Sequence, residues 1–132
     1  MNGFPIAVAT AFVRAINRQD VASLAELMSD RHRFIDSLGN LAEGRETMRA
    51  GWIAYFRMVP DYSLAIEETY IDGPIVLLLG VAQGTYTADG NLKPENKWQT
   101  PVAIRAFLEK GKVSEWRVYA DNEPIRKLMQ RS

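Results

Sequence analysis

The sequence predicts an α+β domain in which three helices come first and an antiparallel sheet follows. Two observations indicate this fold class. Up to about residue 58 most apolar residues recur at helical spacing, and from Tyr62 onward they form strand-like runs separated by turn residues. A chain of 132 residues fits a single domain over residues 1–132 and is long enough to bury a core. We therefore expect helices packed on one face of a sheet.

The first predicted helix covers residues 5–18, where apolar side chains recur at intervals of three and four. Pro5 suits its first turn, because the N–H donor that proline lacks is not needed there. A second, shorter helix is expected to begin near Asp20, a good N-cap residue. A third covers about residues 45–58, and Pro60 ends it.

The sequence predicts one short strand between the second and third helices and four longer antiparallel strands after the third helix. The short strand carries His32, Phe34 and Asp36 on one face. The longer strands are expected at Tyr62–Ile71, Ile75–Thr87, Trp98–Glu109 and Val113–Asp121. The second and third of these are apolar on both faces, whereas a half-buried antiparallel strand alternates. Another surface should cover the outer face, and a homodimer through that face is the simplest solution.

Composition excludes several classes of function. Sixteen basic and sixteen acidic residues cancel, and no basic stripe offers the electrostatic footprint that nucleic acid binding needs. With no cysteine and one histidine, no zinc site, thiolate nucleophile or cofactor is expected. The N-terminus lacks the pattern of a secretion signal, and the longest apolar run is too short to cross a bilayer. These features favour a cytoplasmic protein without membrane contact.

Four segments together carry a resemblance to a known family. They are Phe12–Asn17 with Asp20, Phe34–Gly39, Glu43–Glu46 and Gly111–Arg117. In this order they resemble the nuclear transport factor 2-like superfamily, in the SnoaL-like branch that also contains ketosteroid isomerases and polyketide cyclases. The resemblance covers about residues 6–122. It implies a cone-shaped, cystatin-like fold with an apolar pocket at the open end, and dimers formed through the outer face of the sheet.

The resemblance also points to Asp36 as a catalytic residue, because it falls where the isomerases hold their general base. In an apolar pocket, loss of hydration would raise the pKa of this carboxylate toward neutrality, as a general base requires. Alternatively, Asp36 caps the turn at residues 37–39 through backbone amides. The other two isomerase groups are replaced: the oxyanion-binding tyrosine position is Phe12, and the position of its aspartic acid partner is Arg105.

Arg105 and His32 are further candidate catalytic residues. An inward Arg105 would need a partner to offset its desolvation, and Asp36 is the obvious one. Such a pair is either a structural ion pair or, when a ligand displaces the acid, leaves Arg105 to hold an enolate, carboxylate or oxyanion. His32 shares a strand face with Asp36 and could shuttle protons at the pocket rim, or it could be an ordinary hydrogen-bonded histidine.

Six residues are expected to bind a small apolar ligand, with plain core packing as the alternative for the aromatic ones: Phe12, Phe34, Trp52, Phe56, Trp116 and Asn122. Two main functions remain open. The first is a cofactor-free acid–base enzyme of isomerase or cyclase type that acts on an apolar carbonyl compound, with Asp36 as base. The second is a non-catalytic ligand-binding or dimerisation module of the same fold. A hydrolase is less favoured, because the Asp-Arg-Asp set of related epoxide hydrolases cannot be placed here.

Overall fold

The computed structural model describes residues 4–131 as helices and strands of one α+β fold, as expected. The helices are α1 (Phe4–Arg18), α2 (Val21–Leu27), α3 (Arg45–Met58) and α4 (Glu123–Arg131), with a 3₁₀ turn at Pro94–Asn96. The strands are β1 (Met28–Ile35), β2 (Leu41–Glu43), β3 (Ser63–Asp72), β4 (Ile75–Thr85), β5 (Lys97–Glu109) and β6 (Lys112–Ala120). None of these helices has the length and hydropathy needed to span a bilayer.

Local sequence explains where the early helices begin and end. Asp20 caps α2, since its carboxylate accepts hydrogen bonds from the backbone N–H of Ser23 at 3.1 Å and from the Ser23 hydroxyl at 2.6 Å. Gln19, with a positive φ of 56°, makes the tight turn between α1 and α2. α3 covers the predicted range and ends before Pro60, which cannot continue a helix.

The strands form a six-stranded sheet in the order β2-β1-β6-β5-β4-β3. From β3 to β6 it is the predicted antiparallel meander. β1 pairs in parallel with β6, and β2 pairs with β1 as an antiparallel edge strand. The sheet is therefore mixed and wider than the predicted four-stranded meander. Pairing between segments so far apart in the chain leaves no trace in local periodicity, which is why the sequence did not predict it.

The core lies between the helices and the inner face of the sheet. From α1, Ala9, Phe12 and Ile16 are completely buried. Helix α4 adds Ile125 and Leu128, which are also buried. This fourth helix was not predicted, although its apolar residues are three apart and Pro124 occupies its first turn.

Candidate functional site

A cavity of about 330 Å³ lies between α3 and the inner face of the sheet. Its apolar and aromatic lining consists of Phe34, Met48, Gly51, Trp52, Tyr55, Tyr62, Ala82, Trp98, Val102, Ile104, Trp116, Val118 and Ala120. Four further polar residues line it: Asp36, Ser37, Thr100 and Asn122. Because α3 and four strands contribute, the cavity exists only in the folded domain and its shape depends on how the helix sits on the sheet.

The cavity wall contains a continuous row of aromatic rings. Trp52 meets Phe34 and Tyr55 nearly edge-to-face, with ring centroids 6.1 Å and 6.2 Å apart. Tyr55 meets Tyr62 in the same way at 5.0 Å, and Tyr62 lies 6.1 Å from Trp98. Aromatic pairs of this kind add about 0.5–1.5 kcal/mol each beyond the burial of their surface. The row therefore helps to keep the wall in one arrangement.

Asp36 lies at the edge of the cavity, but its carboxylate is engaged in the turn after β1. Oδ1 accepts hydrogen bonds from the backbone N–H groups of Leu38 and Asn40, both at 2.9 Å, and Oδ2 accepts one from Asn40 Nδ2 at 3.1 Å. Burial acts to raise the pKa of Asp36, but the hydrogen bonds from Asn40, Leu38 and Gly39 outweigh it and lower the pKa. The expected rise is wrong, and Asp36 caps the turn.

Arg105 does not face Asp36. In β5 the even-numbered residues 98–108 are buried on the inner face, so Arg105 lies on the outer face. There its Nη1 binds Glu115 Oε2 at 3.0 Å, and Glu115 also lies 3.7 Å from Arg33. The predicted pairing of Arg105 with Asp36 is therefore wrong. Both faces of this strand are apolar, so a period of two could not tell which of them points inward.

His32 is completely buried and does not lie at the cavity rim as predicted. Its Nδ1 is 2.7 Å from the carbonyl oxygen of Val113, so this nitrogen carries a proton and donates it to β6. Nε2 has no hydrogen-bond partner among residues 4–131. Burial lowers the pKa of His32, against smaller raising effects of the Val113 bond and the Glu115 charge. The imidazole is therefore a neutral core group that joins two strands.

Four of the six expected ligand-binding residues line the cavity: Phe34, Trp52, Trp116 and Asn122. The other two lie one layer behind the wall. Phe12 packs against Trp116 with ring centroids 4.5 Å apart, and Phe56 lies 5.4 Å from Trp52. Both are core residues that support an aromatic side chain of the wall. A role of the four lining residues in binding a ligand stays a prediction.

The ligand-binding residues predicted from the sequence do not include Tyr55 and Tyr62, although both line the cavity. Tyr55 lies three residues after Trp52 on α3, and this spacing places it in the same apolar stripe, which predicts burial but not a role in the cavity. Tyr62 lies in the loop before β3, where no periodicity applies. Burial raises the pKa of both tyrosines far above the ordinary value, and for Tyr62 the neighbouring Tyr55 adds to the rise. Both hydroxyls therefore stay protonated in the neutral range.

The cavity offers hydroxyl, amide and carboxylate groups in an apolar wall, and Asn122 donates a hydrogen bond to the Ser37 hydroxyl at 2.6 Å. This bond ties the segment between β6 and α4 to the turn that holds Asp36. In the described part of the chain, no group of three or more histidine, cysteine, aspartate or glutamate side chains could hold a metal ion.

Comparison with known families identifies the chain. Residues 9–116 match the family model of the SnoaL-like domain. This chain belongs to the SnoaL-like family. A search of curated proteins finds no match to this SnoaL-like sequence. The resemblance inferred from the sequence segments is thereby confirmed.

Solved structures share the fold of this SnoaL-like protein at low identity. A protein of Shewanella denitrificans OS-217, provisionally assigned as a SnoaL-like polyketide cyclase, gives a TM-score of 0.82 at 15% identity over 97% of this chain and 98% of that one. An LEH-like epoxide hydrolase of M. tuberculosis gives a TM-score of 0.80 at 18% identity, over 98% of this chain and 92% of that one. A protein of ketosteroid isomerase-like fold from Catenulispora acidiphila DSM 44928, in complex with trimethylamine, gives a TM-score of 0.74 at 18% identity. The match covers 85% of this chain and 83% of that one. At such identities the likeness concerns the fold and not the chemistry.

Proposed function

We propose that this SnoaL-like protein binds a small, largely apolar ring compound in the cavity between α3 and the sheet. One observation carries the proposal: six aromatic side chains and few polar groups surround a cavity of about 330 Å³. Ligand sites in proteins are typically concave, apolar volumes of roughly 300–1,000 Å³ with a small number of polar groups that orient the ligand. The cavity lies at the lower end of this range, which favours a compound of one or two rings.

Tryptophan fluorescence can test binding directly, because all three tryptophans of the chain line the cavity. The probe is 1-tetralone, an aryl ketone on two fused rings, and we expect saturable quenching. Ala120→Phe should abolish this by filling the cavity, since Ala120 is part of its lining. Ala54→Phe is the matched control, because Ala54 is exposed on α3 and does not line the cavity. Absence of saturable quenching in the unmodified protein would refute the proposal.

Acid–base catalysis on a carbonyl compound is a second candidate, favoured by the position of Asp36 in the cavity lining. Its lowered pKa keeps Asp36 ionised near neutral pH but makes it a weak base. Such a base suits an acidic C–H group, for example one between two carbonyl groups. The assignment of a structural neighbour as a polyketide cyclase supports a test of this chemistry.

Solvent deuterium exchange into ethyl 2-methylacetoacetate, followed by NMR, distinguishes catalysis from binding. If Asp36 is a base, the protein accelerates exchange above the buffer rate and Asp36→Asn loses most of the acceleration. Asp72→Asn, at the exposed end of β3, is the control and should behave like the unmodified protein. Unchanged exchange in Asp36→Asn would exclude Asp36 as the base, and no acceleration in any variant would leave the binding function alone.

We also infer that a second copy of the chain covers the outer face of the sheet. Tyr70, Leu77 and Tyr119 on this face are 53%, 41% and 49% exposed. The strand register places Tyr70 opposite Leu77, and Leu79 opposite Ala103, which in turn lies opposite Tyr119. Together with Arg105, which lies opposite Leu77, and Arg117, which lies over the Tyr119 ring, these side chains form a mixed apolar and charged patch of the kind found in protein interfaces. A net charge of zero adds no overall repulsion between two copies.

Sedimentation velocity over a range of concentrations tests the dimer. We expect Leu77→Lys to shift the protein to monomer by placing a charge in the patch. Leu92→Lys is the control, because Leu92 is similarly exposed but lies in the loop before the 3₁₀ turn. Equal sedimentation of the two variants would argue against this interface.

A cytoplasmic location remains a prediction from the sequence.

A further inference from the structure

Two tyrosine hydroxyls in the cavity have no hydrogen-bond partner within residues 4–131. They belong to Tyr55 on α3 and Tyr62 in the loop before β3, which both line the cavity. Their rings meet nearly perpendicular with centroids 5.0 Å apart, so they form one part of the wall. Neither hydroxyl is among the fully buried side-chain atoms, so both can be reached from the cavity. An acceptor atom on a bound compound could therefore accept a hydrogen bond from each tyrosine.

The polar groups at the cavity edge are engaged differently. Asp36 accepts hydrogen bonds from Leu38 and Asn40, and Asn122 donates one to Ser37. These contacts hold the turn after β1. They engage the Asp36 carboxylate and the Asn122 amide, which would otherwise be able to orient a ligand in the cavity. Within the aromatic wall, the tyrosine hydroxyls are free to donate, as are the buried indole N–H groups of Trp52 and Trp98, which have no partner among residues 4–131.

A phenol donor favours an oxygen acceptor. Burial keeps both hydroxyls protonated, so they donate throughout the neutral range and carry no negative charge. A carbonyl, enolate or phenolate oxygen fits this chemistry, and negative charge on the oxygen strengthens the bond. A hydrocarbon of the same shape would bury both hydroxyls without a partner.

We propose that Tyr55 and Tyr62 are ligand-binding residues that donate hydrogen bonds to an oxygen atom of the bound ring compound. They thereby select oxygen-bearing compounds over hydrocarbons of equal shape. This inference rests on the proposed binding function and specifies its ligand class. Neither tyrosine is among the ligand-binding residues predicted from the sequence, although both line the cavity.

The experiment compares 1-tetralone with tetralin, which has the same skeleton without the carbonyl oxygen. Affinities are measured for the full chain and for Tyr55→Phe, Tyr62→Phe and Tyr86→Phe, the last altering a tyrosine that does not line the cavity. Each cavity variant should weaken 1-tetralone binding by about 3- to 10-fold, the effect of one neutral hydrogen bond, and leave tetralin binding unchanged. Tyr86→Phe should change neither affinity. Each substitution removes a single oxygen atom, and thermal melting verifies that the variants fold.

A spectroscopic signature provides a second readout. The infrared carbonyl band of bound 1-tetralone should lie at lower frequency than in an apolar solvent and move back upward in each cavity variant. Three results are decisive against some part of the scheme. If neither probe binds, the binding function itself fails. If both probes bind equally and the tyrosine variants change nothing, binding stands and the donor role is overturned. If tetramethylammonium binds more tightly than 1-tetralone and its affinity is the same in the tyrosine variants, the aromatic wall recognises a cation and the donor role is again overturned.

Discussion

The guanidinium of Arg105 binds the carboxylate of Glu115 at 3.0 Å on the outer face of the sheet. In the register of β5 and β6, Arg105 lies opposite Arg117 and Glu115 lies opposite Phe107, so the pair is diagonal. The contact offsets the repulsion between Arg105 and Arg117, which lie directly opposite each other. Arg105 cannot reach Asp36, because it lies on the outer face of β5 and Asp36 lines the cavity on the inner side of the sheet.

Replacing Arg105 with methionine should lower the free energy of unfolding by about 1 kcal/mol or less. The effect is small because the two side chains are 34% and 18% exposed and Glu115 keeps Arg33 nearby. Affinity for 1-tetralone should not change. Urea denaturation and fluorescence titration measure the two quantities. A marked loss of affinity would contradict a purely structural role on the outer face.

Protonation of His32 should make the fold less stable in mild acid. The pKa of the buried imidazole lies below its ordinary value of 6.5, chiefly because burial disfavours the charged form. The unfolded chain therefore binds a proton that the folded chain resists. The free energy of unfolding should be independent of this group above about pH 6.5 and should fall below it, by at most about 1.4 kcal/mol per pH unit.

Urea unfolding at about pH 7.5 and about pH 5.5 measures this loss of stability. Both pH values lie above the range in which carboxylates ordinarily titrate. His32→Gln is the control, because His32 is the only histidine of the chain. The variant should be less stable at both pH values, since it loses the bond to Val113, but should show a much smaller difference between them. An equal difference in both proteins would show that His32 is not responsible.

Gly80→Ala should strongly destabilise the sheet. A Cβ on Gly80 would overlap with the backbone carbonyl oxygen of Ala65, close to where the pairing of β3 with β4 shifts register between Ile66 and Glu68. Backbone must move to make room, so we expect a loss of about 2 kcal/mol or more in the free energy of unfolding. Urea denaturation checks this, and an unchanged midpoint would contradict the close approach.

Gly51→Ala, the same chemical change, should have the opposite effect. Gly51 lies inside α3, and a Cβ there would be in ordinary contact with the flexible end of Met48 at 3.6 Å. Alanine stabilises a helix interior by about 0.5–1 kcal/mol relative to glycine. Because Gly51 lines the cavity, the extra methyl group should also reduce the affinity for 1-tetralone. Denaturation and titration of one variant test both expectations.

The prediction of the fold succeeded where a local pattern carries the information. The range of α3 follows from helical spacing and from Pro60, and the β3–β6 meander follows from apolar runs between turns. The parallel pairing of β1 with β6 was missed because no local signal encodes a contact between distant strands. Helix α4 was missed although Ile125 and Leu128 show helical spacing.

The candidate site shows the same division. The resemblance of four short segments to a known family indicated the family, and the sequence also predicted that Trp52 and Trp116 line the cavity and that Asp36 follows a short strand. Three features follow only from the tertiary structure. Arg105 points to the outer face, the Asp36 carboxylate accepts hydrogen bonds from its own turn, and two tyrosines from a helix and a loop pack against each other. A period of two defines two faces of a strand but does not name the buried one when both are apolar. Which polar groups are satisfied depends on partners that only the folded chain brings within hydrogen-bonding distance.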